Sequence, residues 1–296
     1  MVLMGTGTSH GVPVIGCKCK VCLSERTEDK RMRCSALVSC GETRIVIDTG
    51  PEFRIQALKY GLSRLDAVLI THSHADHVHG LDDIRIFSHT RPDVYYSSNA
   101  SAETAGAGLP IFANATTVSD LRDRFSYVFH PKVLGGGLPK LNLQECESFC
   151  AKNPLKIGTV CAVPIPIMHG PTKCSGWLLW EDGKKSAIAY LTDCNKISDE
   201  SLEEIKRTGQ EIEHLVIDGL RVELHSTHCS FNEAMSYAER IGAKHTWITH
   251  ISHDLFHFQI QSYLDRRLPH FPHLSNIVSH GGSVSPSYDG LVLLAD

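Results

Sequence analysis

Thr71-His72-Ser73-His74-Ala75-Asp76-His77 follows directly on the apolar run Ala67-Val68-Leu69-Ile70. Three imidazoles and a carboxylate thus gather at what reads as the end of a buried strand. On an extended segment residues i and i+2 project to one side, so His72 and His74 can share an ion. Asp76 and His77, beyond a bend, can serve a second. Two protein groups rarely hold a divalent ion, so other parts of the chain must complete both sets.

Later apolar runs end in the same manner. Leu191-Thr192-Asp193 and Ile248-Thr249-His250 match Ile70-Thr71-His72, and Ile167-Met168-His169-Gly170 offers a further imidazole. Polar groups recurring at strand ends are how a rigid sheet presents a site along one edge. Asp193 is the best bridge, since a carboxylate can reach both ions. Asp218, in Val216-Ile217-Asp218, reads equally well as a partner orienting a ligand imidazole and as a turn residue.

In this order the residues closely resemble the metallo-β-lactamase superfamily, from Gly5-Thr6-Gly7-Thr8 to Tyr288-Asp289-Gly290-Leu291. The resemblance implies an α/β fold, a four-layer αβ/βα sandwich with metals at the edge between two sheets. It implies His72, His74 and His169 on one ion, Asp76, His77 and His250 on the other, and Asp193 shared. Paired ions lower the pKa of a water held between them, and the resulting hydroxide attacks a carbonyl or a phosphorus. Such machinery is hydrolytic without naming the substrate.

Cys17-Lys18-Cys19-Lys20-Val21-Cys22 forms a second cluster, after Pro13 and Gly16. Three thiolates and one imidazole make a closed tetrahedral zinc site, structural because no position stays open. His253, three residues past His250, is the natural fourth ligand. The combination looks like the carbon–phosphorus-lyase accessory phosphodiesterase branch of the superfamily. That resemblance implies hydrolysis of small cyclic phosphodiesters with manganese or zinc, and His228 in Ser226-Thr227-His228-Cys229-Ser230 as general acid. The residues fit the role: His228 lies two positions before a helix start, where phosphate meets backbone N–H groups and an imidazolium can protonate a leaving alkoxide. His225 is its competitor. Asp76 is expected to orient the nucleophile besides binding metal.

At 296 residues and 42% hydrophobic, the chain can build a large core. Its formal net charge of −4 lacks a basic block, which argues against an extended nucleic-acid surface. Eleven cysteines in no scaffold-like pattern, and no leader-like start, lead us to expect a cytoplasmic protein with free thiols. No apolar run approaches a membrane span. Oligomeric state stays open, a homodimer included.

Strands are expected at Ser35–Val38, Arg44–Ile47, Ala67–Ile70, Ile188–Leu191, Leu215–Ile217 and Thr246–Ile248. Ser230-Phe231-Asn232-Glu233 is a capping box opening a helix that Gly242 stops. Further helices are expected from about Ser198 to Thr208 and from Glu52 to Tyr60. Segments 88–108 and 131–158 read as loops, the first an insertion into one domain spanning 1–296. Gly5-Thr6-Gly7 leads into Pro13 and the thiols instead of a helix, so a dinucleotide loop is rejected.

The expected function is dinuclear metal-dependent hydrolysis of small, cyclic phosphodiesters. Alternatives are a same-fold hydrolase (a tRNA 3′-processing endonuclease or a thioesterase), the pyrroloquinoline quinone biosynthesis protein, and a non-catalytic metal-binding protein.

Overall fold

Strand registers and helix caps below come from a computed structural model that describes residues 1–90, 108–130 and 139–295. In the first sheet β1 (Val2–Gly5), β2 (Ser35–Cys40) and β3 (Thr43–Ile47) pair antiparallel. Parallel pairing then continues through β4 (Ala67–Leu69), β5 (Leu109–Ala113) and β6 (Leu141–Glu145). A short β7 (Leu155–Ile157) leads into the long hairpin of β8 (Val160–His169) and β9 (Thr172–Glu181). The second sheet adds β10 (Ser186–Leu191), β11 (Lys196–Ile197), β12 (Glu211–Asp218), β13 (His245–Thr249) and β14 (Ser283–Pro286), in the order β11-β8-β9-β10-β12-β13-β14.

Side-chain alternation dictates how the sheets stack. Ile45 and Ile47 of β3 join Trp177, Leu179, Ile188, Tyr190 and Val216 in a core between the two sheets. Val46, one residue out of phase, faces the other way, onto the helix side. There it meets Phe53 and Ala57 of α1 (Phe53–Lys59) and Val78 of α2 (Ala75–Val78). Phe87 of α3 (Arg85–Thr90) and Val118 and Leu121 of α4 (Ala115–Arg124) complete that face, with α5 (Ser126–Phe129) packed alongside. On the far side of the second sheet, Leu178, Leu191, Leu215 and Ile217 pack on α6 (Asp199–Arg207), α7 (Phe231–Ile241), α8 (His257–Arg267) and α9 (Pro272–Ser279). The result is the four-layer αβ/βα sandwich. No helix among the described residues is long and apolar enough to cross a membrane.

The expected strands and helices form within a residue or two of their read bounds, β12 excepted, which starts at Glu211. Segment 131–158 departs from its reading as a loop: residues 139–158 contain β6 and β7. β6 is half-exposed at the sheet edge and β7 spans three residues, so neither shows a clear alternation. Of the supposed insertion 88–108, residues 91–107 lie outside the described residues; Ser88 belongs to α3 and Gly108 precedes β5. β8 tolerates Pro164 and Pro166 because β7 pairs with residues 160–162 and β11 with 167–168. Both prolines fall in the gap, where no ladder bond on that side is lost.

Candidate metal centre

The ends of β4, β8, β10, β12 and β13 converge at one edge of the sandwich, and each delivers a polar side chain. His72, His74 and His169 form one cluster; Asp76, His77, Asp193 and His250 form the next. His72 and His74 leave the end of β4 with ring centroids 4.5 Å apart, and the His169 ring lies 5.4 and 5.1 Å from them. The chain then turns into α2, whose first turn carries Asp76 and His77. His77 Nε2 stands 3.1 Å from both Asp76 Oδ2 and Asp193 Oδ2, and His250 Nε2 is 3.1 Å from Asp193 Oδ1. Asp193 thereby touches both histidines with different oxygens. All seven sequence-predicted residues come together.

The arrangement fits divalent ions better than it fits hydrogen bonds. Nε2 of His72, His77 and His250 are all buried without a hydrogen-bond partner, despite the nearby carboxylates. Two atoms each about 2.1 Å from a shared ion lie roughly 3.0–3.4 Å apart, depending on coordination angle. The observed 3.1 Å separations fall in that range. Asp193 and His250 also adopt left-handed backbone conformations, with φ of 53° and 60°. Asp48, at 59°, completes the set of non-glycine residues with positive φ among the described residues. Such conformations are costly for side chains of this kind and concentrate at functional sites.

The electrostatics agree. Burial opposes charge on Asp193, yet the His250 and His77 rings outweigh it and hold the carboxyl well below its ordinary range. Burial likewise opposes protonation of His77 and His250, but Asp193 drives both well above the usual imidazole value. His72 is held well below it by burial and, next, by the His77 ring. The pocket's carboxylates demand positive charge, which cations would supply.

Outer contacts fix the rings. His169 donates from Nδ1 to the Thr227 carbonyl at 2.7 Å, turning Nε2 toward the cluster. His77 Nδ1 donates to Asp48 Oδ2 at 2.7 Å, and Thr71 donates its N–H and hydroxyl to the same carboxylate, both at 2.8 Å. Thr71 Oγ1 also lies 3.0 Å from His72 Nδ1. Asp48 was missed by sequence reasoning, although Ile45-Val46-Ile47-Asp48 repeats the pattern of an apolar strand ending in a polar residue.

His228 borders the centre. Its ring stacks on His250 at 4.5 Å and lies 4.4 Å from His169. Asp218 Oδ2 accepts from His228 Nδ1 at 2.8 Å and from the Cys194 N–H at 3.1 Å. The sequence left Asp218 between turn residue and support for a ligand; it supports His228 instead. The capping box on α7 forms as expected, with Ser230 accepting from the Glu233 N–H and Gly242 at a φ of 74°. It anchors the segment just after His228.

Cys17, Cys19, Cys22 and His253 meet at a second locus. His253 Nδ1 lies 3.5, 3.4 and 3.4 Å from the three sulfurs. A tetrahedral zinc with bonds of about 2.3 Å to sulfur and 2.05 Å to nitrogen gives an S···N separation of about 3.5 Å. The Cys22 N–H, which the Cys19 sulfur accepts, is the largest cause drawing the Cys19 thiol down to about 6; burial pushes Cys22 up to about 11. All eleven cysteines are free. The Cys17 loop is tied to the His250 segment through Thr6–Thr8: Ile251 donates to Thr6 O at 3.0 Å, and Thr8 donates to Ile251 O at 3.1 Å.

Residues 43–251 match the model of the beta-lactamase superfamily domain, and the chain belongs to that family. It is similar to a solved diphosphatase of the PhnP family, with 32% identity and a TM-score of 0.74, covering 98% of this chain and 95% of that one. It shares its fold with zinc-bound PqqB from Methylobacterium extorquens (18% identity, TM-score 0.68, 99% and 98% covered). Human tRNase Z, short form, shares the fold too (15%, 0.62, 100% and 98%). An octanoyltransferase of Porphyromonas gingivalis (strain ATCC BAA-308 / W83) is 35% identical over 298 residues, covering 100% of this chain. The chain spans about half, 51%, of that relative.

Proposed function

We propose that this protein hydrolyses small, cyclic phosphodiesters with two divalent ions, zinc or manganese, and carries one structural zinc. His72, His74 and His169 would hold one ion, Asp76, His77 and His250 the other, and Asp193 would join them. When bound, the ions supply the charge that acidifies water and stabilises oxygens around phosphorus. Cys17, Cys19, Cys22 and His253 would hold the structural zinc. Asp76 orients the attacking water, and His228, as an imidazolium whose Nδ1–H is held by Asp218, gives its Nε2 proton to the leaving alkoxide. We further propose a single domain in the cytoplasm, acting on a small substrate.

The observation that carries this reading is the His228–Asp218 pair stacked against the ligand cluster. A group able to deliver a proton suits an alkoxide leaving group, and the 32%-identical relative is a PhnP-family enzyme. That relative is a diphosphatase, which favours a second reading, hydrolysis of a diphosphate. There the leaving phosphate is already a weak base and needs little acid catalysis.

The test is a panel on the metal-loaded protein: bis-p-nitrophenyl phosphate, a 2′,3′-cyclic nucleotide, a nucleoside diphosphate and an octanoyl thioester. The last answers the octanoyltransferase name of the longer relative. We expect turnover of both phosphodiesters. No turnover of either, with robust cleavage of the diphosphate or thioester, overturns the proposal.

A further inference from the structure

Three of the ligand imidazoles are oriented through Nδ1: His72 by the Thr71 hydroxyl, His77 by Asp48 and His169 by the Thr227 carbonyl. His74 is different. It is exposed, it stands at the N-cap of α2 without a side-chain capping bond, and among the described residues its ring has no hydrogen bond. Its direction therefore rests on the backbone that carries it.

That backbone is gripped at the buried residue between the two histidines. The Ser73 hydroxyl donates to Asp120 Oδ2 at 2.6 Å, and the Ser73 carbonyl accepts from the Arg124 guanidinium. Asp120 and Arg124 are four residues apart on α4 and so share one face. One helix thus holds Ser73 by its side chain and its main chain together. Both contacts involve an ionised partner, which makes them stronger than neutral hydrogen bonds.

The helix is itself well anchored. Val118 and Leu121 are fully buried in the core on that side of the first sheet. Asn114 caps the start of α4, accepting the Thr117 N–H at 2.9 Å. Its Nδ2 donates to Lys173 O at 3.2 Å, and Lys173 pairs with Met168, next to His169. α4 therefore touches both segments that supply His72, His74 and His169.

We infer that Asp120, with Arg124, is a positioning residue for the ion proposed on His72, His74 and His169, fixing Ser73 and through it the direction of His74. The inference rests on the metal reading of this edge and adds that the two ions are braced by different parts of the fold. α4 steadies the first set, while Asp48 holds His77 of the second.

The test measures zinc affinity of the full-length protein by competition with a chromophoric chelator. Ser73→Ala and Asp120→Ala should each weaken one active-edge ion by about tenfold or more, the usual value of a contact behind a ligand. The double variant should lose no more than either alone, because both remove the same bond. Asp120→Asn, whose amide oxygen still accepts the hydroxyl, should keep part of the affinity. In His169→Ala, which already lacks a ligand to that ion, adding Asp120→Ala should leave the remaining ion unchanged. Wild-type affinity in both single variants overturns the inference, whether or not the metal-free proteins melt lower, as do losses that add in the double variant or fall on the ion left in His169→Ala. Failure of the metal reading looks different, because wild type would then bind no zinc at this edge.

Discussion

His77 and Asp48 form a fully buried pair, with Nδ1 donating to Oδ2 at 2.7 Å. Through Thr71 the same carboxylate reaches the contact on His72, so one side chain orients rings in both proposed ion sites. Replacing Asp48 by Asn keeps the shape and removes the charge. Metal affinity should fall by about 10–100-fold, read by competition with a chromophoric chelator. Unchanged affinity would show that Asp48 is only a turn residue.

His253→Ala removes the nitrogen from the thiol cluster while leaving the seven residues of the active edge in place. The variant should lose one equivalent of zinc and melt at a lower temperature than wild type. Its catalytic-metal affinity should also weaken, because the Thr6–Thr8 segment ties the thiol loop to Ile251, next to His250. A variant with full zinc content would show that the thiols bind without His253.

His228→Ala should slow alkoxide-leaving substrates by about 10²–10⁴-fold, the usual value of a general acid. Hydrolysis of bis-p-nitrophenyl phosphate should suffer much less, because nitrophenolate leaves without a proton. Equal losses on both substrate types would make His228 a positioning residue and exclude the acid role.

Asp289 gives a pH signature unrelated to metal. Burial pushes its carboxyl up to about 6, although it accepts the Met32 N–H and the Thr6 hydroxyl. A folded value above the ordinary 3.8 means a contribution fully present below about 3.8 and lost as pH rises through 6. The urea midpoint of wild type, relative to Asp289→Asn, should therefore decline between pH 4 and pH 6.5. A flat difference across that window contradicts the shift.

The clustering was legible because His72, His74, His169, Asp193 and His250 sit at or just beyond the ends of apolar runs, with Asp76 and His77 following in the same string. The helix after Ser230 was legible because its cap and stop are local chemistry. What escaped has physical reasons. β6 is a half-exposed edge strand and β7 is held by pairing more than by its own pattern. β8 carries two prolines that only its split neighbours make acceptable. Asp48 follows the same strand-end rule as Asp193, but it lies 24 residues before His72, and no local motif ties the two together. Asp218 could not be assigned to His228 without knowing that β12 brings it beneath that loop.

The central claim is that these residues hold a pair of ions beside a separate structural zinc. Native mass spectrometry on zinc-loaded protein measures it directly. Wild type should carry three ions, Asp193→Ala should lose ions from the active edge and keep the one on the thiols, and His253→Ala should do the reverse. A folded wild-type protein that binds no more than one ion at saturating zinc contradicts the account.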